Sequence, residues 1–101
     1  MTHRAVQYMG LRARRDKNEA VIATALRAIG CVVVRHSGTD EPDLFVLHNG
    51  AWTALEVKSE KGKLTQGQVA FRAIVRSMGS EVHVVRDANE ALKVVTGRQC
   101  K

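Results

Sequence analysis

The sequence predicts an α/β domain, a mixed β-sheet flanked by helices in the order α-β-β-β-α-β-α. Three observations carry this reading. Ile22, Ala25, Leu26 and Ile29 recur at i, i+3, i+4 and i+7, the period of one helix face. Asn49-Gly50 stands between two apolar runs, the strongest short hairpin signal, because both positions of a tight turn there need positive φ. A second helical stripe, Phe71, Ile74, Val75 and Met78, is followed by Gly79 and the β-branched run Val82-His83-Val84-Val85. A chain of 101 residues holds one such domain and no more.

In chain order, residues 1–15 show no clean period and read as a basic arm, and the domain proper occupies 16–101. Its first helix begins near Asp16, which with Glu19 fits a capping box, and Gly30 is a natural stop. Residues 31–36, with three consecutive valines, form a short buried strand. Ser37-Gly38-Thr39-Asp40-Glu41-Pro42 is a loop by composition. Residues 43–48 and 51–58 are the hairpin strands, and 60–63 is a charged connection. The second helix covers 65–78, with Thr65 and Gln68 as a capping box and Leu64 and Val69 as a hydrophobic staple. A strand at 81–86 and a helix at 87–95, capped by Asp87, complete the order.

Net charge is +6, so the partner implied is a polyanion, although charge does not separate DNA from RNA or an acidic protein surface. The excess is clustered. Arg4, Arg12, Arg14, Arg15 and Lys17 crowd the first segment, and Lys58, Lys61 and Lys63 follow the second hairpin strand. Either cluster is a solvated face by itself. Lying beside a pair of candidate metal ligands, they favour phosphate contact. No apolar run approaches the roughly eighteen residues of a membrane span, and the arginine-containing start is not a secretory signal, so a cytoplasmic protein is expected. Cys31 and Cys100 make no disulfide framework, and the four histidines lack zinc-ligand spacing.

The hairpin carries the chemistry. With Asn49-Gly50 as a two-residue loop, paired residue numbers sum to 99, and continuing without a bulge sets Asp43 opposite Glu56. Paired residues share a face, with Cβ atoms about 4.5–5.5 Å apart. Lys58 projects from that face too. Like charges opposed across a sheet destabilise it, so these acids need a counter-charge. Hard oxygen donors suit Mg²⁺ or Mn²⁺. Such an ion binds a scissile phosphate and acidifies water, while Lys58 orients that water or stabilises developing charge. The plainer alternative is a solvent-facing edge on which Glu56 and Lys58 are an ordinary surface pair. No serine, cysteine or tyrosine is placed beside a base as an activated nucleophile requires, which argues against a covalent intermediate. Trp52, on the same strand as Glu56, is expected in the core.

Pro42-Asp43, a hairpin and then Glu56-Val57-Lys58 resemble the PD-(D/E)xK nuclease superfamily, whose restriction-endonuclease-like core has a similar element order. Within it, Lys61-Gly62-Lys63-Leu64-Thr65-Gln66-Gly67-Gln68 before a helix, a glycine and the strand Val82-His83-Val84-Val85 resemble the VRR-NUC (virus-type replication-repair nuclease) family. His36-Ser37-Gly38 is similar to the matching loop of Holliday-junction resolvases. The resemblance covers about 16–95. It implies catalytic Asp43, Glu56, Lys58 and Gln68, and a metal set of Glu19, Asp43, Glu56 and Val57. Glu19 and Gln68 are equally well read as capping residues, and one residue can do both. DNA contact is expected from Arg12, Arg14, Arg15, Ser37, Lys61 and Lys63.

What the resemblance implies is a Mg²⁺- or Mn²⁺-dependent endonuclease on DNA, four-way (Holliday) junctions first, in a bacterial or phage-infected cell. A homodimer would supply two active sites, and Val6, Tyr8, Met9 and Leu11 of the arm are candidates for the contact. Two rivals stay open. One is a nuclease on flaps, linear DNA or RNA. The other is a non-catalytic nucleic-acid-binding module, against which the paired acids argue, since they gain nothing from facing a phosphate backbone.

Overall fold

The computed structural model describes residues 17–97, and the basic arm, with its arginines and its apolar residues, lies outside them. The first helix, α1 (17–28), buries Ile22, Ala23 and Leu26. Its end is a Schellman motif: Gly30, at φ +93°, donates its N–H to Arg27 O, and Cys31 N–H reaches back to Leu26 O. Ile29 is the C-cap residue of that turn and is therefore half exposed, although the helical period assigned it to the core. Whether Asp16 caps α1 falls outside the described residues.

Strands β1 (Val32–Arg35), β2 (Leu44–His48), β3 (Ala51–Val57) and β4 (Val82–Val85) form one sheet in that spatial order. The first two pairings are antiparallel and β3–β4 is parallel, so the sheet is mixed. Asn49 and Gly50 both have positive φ, 49° and 79°, as a tight primed turn requires. All five β2–β3 pairs sum to 99, from His48–Ala51 to Leu44–Leu55. Helices α2 (Gln66–Ser77) and α3 (Ala88–Gly97) complete the α-β-β-β-α-β-α order. Asp87 caps α3, its Oδ1 accepting from Glu90 N at 2.8 Å.

One face of the sheet makes the core. Val33, Val46, Leu44, Leu55, Val57 and Val85 pack with Ile22 and Leu26 of α1 and with Ala91 and Val95 of α3. Cys31 belongs to this cluster, and burial pushes its thiol pKa up. The other face is only part covered. The alternation of strand side chains sets Val32, Leu47 and Trp52 in one row across it and Val34, Phe45 and Ala54 in the next.

Three expectations about burial need correcting, all for one reason. Trp52 is 54% exposed rather than in the core, and β1 is an edge strand with Val32 and Val34 exposed rather than a buried one. On α2, Ile74 and Met78 are 56% and 81% exposed. This helix turns Gln68, Phe71, Arg72 and Val75 inward, and Arg72 Nε donates to Val82 O at 3.0 Å. Lying over the β4 side of the sheet, α2 leaves the rows above β1–β3 uncovered. No helix among the described residues is long and apolar enough to cross a membrane.

Candidate active site at the open end of the hairpin

At the end of the hairpin remote from its turn, Pro42 leads into Asp43, and Glu56-Val57-Lys58 closes β3. The regular ladder stops at Leu44–Leu55, one pair short of the Asp43–Glu56 pairing expected from an unbulged register. The physical reason lies in where the groups of Asp43 are used. Its N–H donates to Leu55 O at 3.0 Å, its carbonyl accepts from His36 N at 2.8 Å, and its Oδ2 accepts from Val57 N at 2.8 Å. The side chain thus replaces the next ladder bond and fixes Asp43 against the backbone of the E-x-K segment.

Glu56 is held from the other direction. Gln68 Nε2 donates to its Oε2 at 3.1 Å, while Gln68 Oε1 accepts from Thr65 N at 2.9 Å. Gln68 N in turn donates to Thr65 Oγ1 at 3.1 Å, completing the capping box. The two readings of Gln68 therefore coexist: its amide oxygen caps α2 and its amide nitrogen holds Glu56. Asp43 and Glu56 are 4% and 2% exposed. Burying carboxylates is costly unless donors meet them, and here a main-chain N–H and a side-chain amide do so.

Glu19, on the buried side of α1, accepts from Arg35 Nη2 at 3.4 Å. Among the described residues, no three His, Cys, Asp or Glu side chains gather as a metal-holding group. The chemistry of the donor set at Asp43 and Glu56 fits a hard cation: two buried carboxylates and, for Val57, its carbonyl. Lys58 is half-buried, directly beyond them.

Two residues the sequence reading missed fix the backbone here. Asn18 Nδ2 donates to Lys58 O at 3.1 Å and to Arg86 O at 3.4 Å, tying α1 to the ends of β3 and β4. Arg86 itself binds the turn after Lys58. An asparagine beside the candidate Glu19 and an arginine ending β4 carry no local pattern that would have marked them. Ser37, Lys61 and Lys63 are exposed on loops flanking the site, and Arg12, Arg14 and Arg15 lie outside the described residues. Near Ser37, His36 Nε2 donates to Glu41 Oε1, and its ring meets Phe45 edge-on at 5.8 Å.

No family model and no curated protein matches the chain. Among solved structures it is similar to one described as a VRR_NUC domain, at TM-score 0.68 and 25% identity, covering 81% of this chain and 94% of that one. That likeness supports a nuclease domain. In fold the chain is similar to a VRR-NUC nuclease domain, the family that Pro42-Asp43, Glu56-Val57-Lys58 and Gln68 resemble in sequence.

Proposed function

We propose that the chain is a metal-dependent endodeoxyribonuclease that hydrolyses phosphodiester bonds, with four-way junctions as its preferred substrate. The observation that carries the reading is the pair of buried carboxylates, each held by a separate donor, next to Lys58. A buried acid pair weakens a fold unless it serves a ligand, and a nuclease site gives it one.

Asp43, Glu56 and the Val57 carbonyl are the groups that would hold Mg²⁺ or Mn²⁺, with Glu19 acting through water. When bound, such a cation neutralises charge on a phosphate oxygen and lowers the pKa of water. The Val57 N–H fixes Asp43 for this work, and Gln68 fixes Glu56. Lys58 has no hydrogen bond or ion pair from its amino group among the described residues, and it supplies a positive charge for the phosphate and orients the attacking water. Ser37, Lys61, Lys63 and the arm's Arg12, Arg14 and Arg15 bind the flanking backbone. The uncharged rows containing Val32, Val34 and Trp52 are an apolar surface that a homodimer would cover.

The test is cleavage of a labelled four-way junction and a matched linear duplex with Mg²⁺, Mn²⁺ or EDTA, alongside Glu56→Ala and Lys58→Ala. Paired, metal-dependent nicks in the junction, absent from both variants, are expected. Equal cutting of flaps, linear DNA or RNA would remove the junction preference and keep the nuclease. Folded protein that binds DNA without cutting it under any metal would leave only a binding module.

A further inference from the structure

The turn that follows the E-x-K strand is held by a side chain from the end of β4. Residues Ser59–Gly62 form a β-turn closed by Gly62 N–H donating to Ser59 O at 3.1 Å. Arg86 Nη1 donates to Ser59 O and to Gly62 O, each at 2.7 Å, and to Glu60 O at 3.4 Å. Three carbonyls of one short turn thus converge on one guanidinium nitrogen. The turn is close-packed at Gly62, where a Cβ would stand 2.9 Å from Ser59 Oγ and 3.3 Å from Ser59 N. Arg86 is anchored in turn, because its own N–H donates to Glu90 Oε1 and its carbonyl accepts from Asn18.

Turning these carbonyls inward has a consequence for the rest of the turn. Lys61 and Lys63, on either side of Gly62, are both exposed. A flexible loop carrying two lysines loses conformational entropy when it docks on a phosphate backbone, and a loop already fixed loses less. The Arg86 charge faces main-chain oxygens, so its work is structural, while the two ammonium groups are left to face the solvent.

We propose that Arg86 is a positioning residue for DNA binding: by gathering the carbonyls of Ser59, Glu60 and Gly62 it holds Lys61 and Lys63 as a preset pair of phosphate contacts. This rests on the functional reading only in that the turn meets a nucleic-acid backbone; it needs no catalysis.

The experiment is duplex-DNA affinity in EDTA as a function of salt, for the full chain and for Arg86→Ala, Arg86→Gln, Lys61→Ala/Lys63→Ala and the combination of Arg86→Ala with both lysine changes. Each phosphate contact contributes about 0.9 to the slope of log K against log salt. Removing both lysines should lower the slope by about 1.8, whereas Arg86→Ala and Arg86→Gln should keep the slope and weaken binding at every salt, and adding Arg86→Ala to the two lysine changes should weaken binding no further. Thermal melting confirms that each variant is folded, and Arg86→Gln, which keeps most of the stem, serves if the alanine variant is not. Arg86 variants that bind as tightly as the wild type at every salt, while the lysine changes lower the slope, overturn the positioning role alone. A further loss of about 0.9 in the triple variant overturns it as well, because Arg86 would then touch phosphate itself. A slope unmoved by the lysine changes removes the turn from the nucleic-acid interface, and the proposal with it, while leaving cleavage at Glu56 and Lys58 to its own assay.

Discussion

Replacing Gln68 by alanine removes two interactions of different kinds, and their separation tests the description of the site. The Nε2 donor lost from Glu56 is a hydrogen bond to a buried carboxylate, worth about 1.5–3 kcal/mol. The Oε1 acceptor lost from Thr65 N lies at an exposed helix end, where water substitutes, so about 0.5–1 kcal/mol is expected there. Gln68→Ala should therefore destabilise the protein by roughly 2–4 kcal/mol. On a Glu56→Ala background only the capping part remains, so urea unfolding of the four proteins should give a coupling energy of about 1.5–3 kcal/mol. A free energy of that size corresponds to a melting difference of roughly 6–24 °C for a domain of this size. Gln68→Glu adds a qualitative arm. It keeps the bond to Thr65 N but sets a carboxylate oxygen where the donor stood, 3.1 Å from Glu56 Oε2. The pair then holds a proton with a folded pKa above the unfolded value, so this variant should gain stability as pH falls from neutrality through that raised pKa. A coupling energy under about 0.5 kcal/mol, which is within ordinary additivity, would refute the claim that Gln68 holds Glu56. So would a Gln68→Glu variant that shadows the wild type at every pH.

Two further outcomes follow from other parts of the molecule. Glu81 is held below its ordinary value of 4.5 chiefly by its hydrogen bond from Arg76, with Arg72 also near. Its folded pKa being depressed, its contribution is present above the unfolded value and is lost as pH falls through the folded one. Glu81→Gln should therefore narrow the stability difference between neutral and acid pH, read as unfolding midpoints from pH 6 to pH 3, and identical pH profiles would contradict the pairing. Gly50, at φ +79°, occupies a left-handed position that a side chain resists, so Gly50→Ala should cost about 1–2 kcal/mol in urea unfolding. A neutral substitution there would mean that the hairpin turn is not the primed type.

Much of the fold was legible because it rests on local rules. The Asn49-Gly50 turn set the register of all five β2–β3 pairs without any tertiary information, since a two-residue loop leaves one pairing. Gly30 marked the end of α1, Asp87 the start of α3, and Thr65 with Gln68 the start of α2, because each cap is made within a few residues. The turn also put Asp43 and Glu56 at the open end of the hairpin, although the ladder ends at Leu44–Leu55 and does not pair them.

Periodicity alone could not say how much of each apolar stripe would meet a partner. Ile74 and Met78 fit a helical stripe, and Val32, Val34 and Trp52 fit strands, yet all are exposed. Helix α2 covers only the β4 side of its face, and that depends on the crossover between β3 and β4 rather than on any residue's own pattern. The same distance in sequence hid Asn18 and Arg86, whose bonds to the Lys58 region span 40 and 24 to 27 residues. Chain order and turn chemistry determined the elements and the register of the hairpin. Only the tertiary structure decided which apolar faces were covered, that Asp43 leaves the ladder to grip Val57 N–H, and which distant side chains hold the site in place, because those outcomes depend on contacts between segments that no local rule brings together.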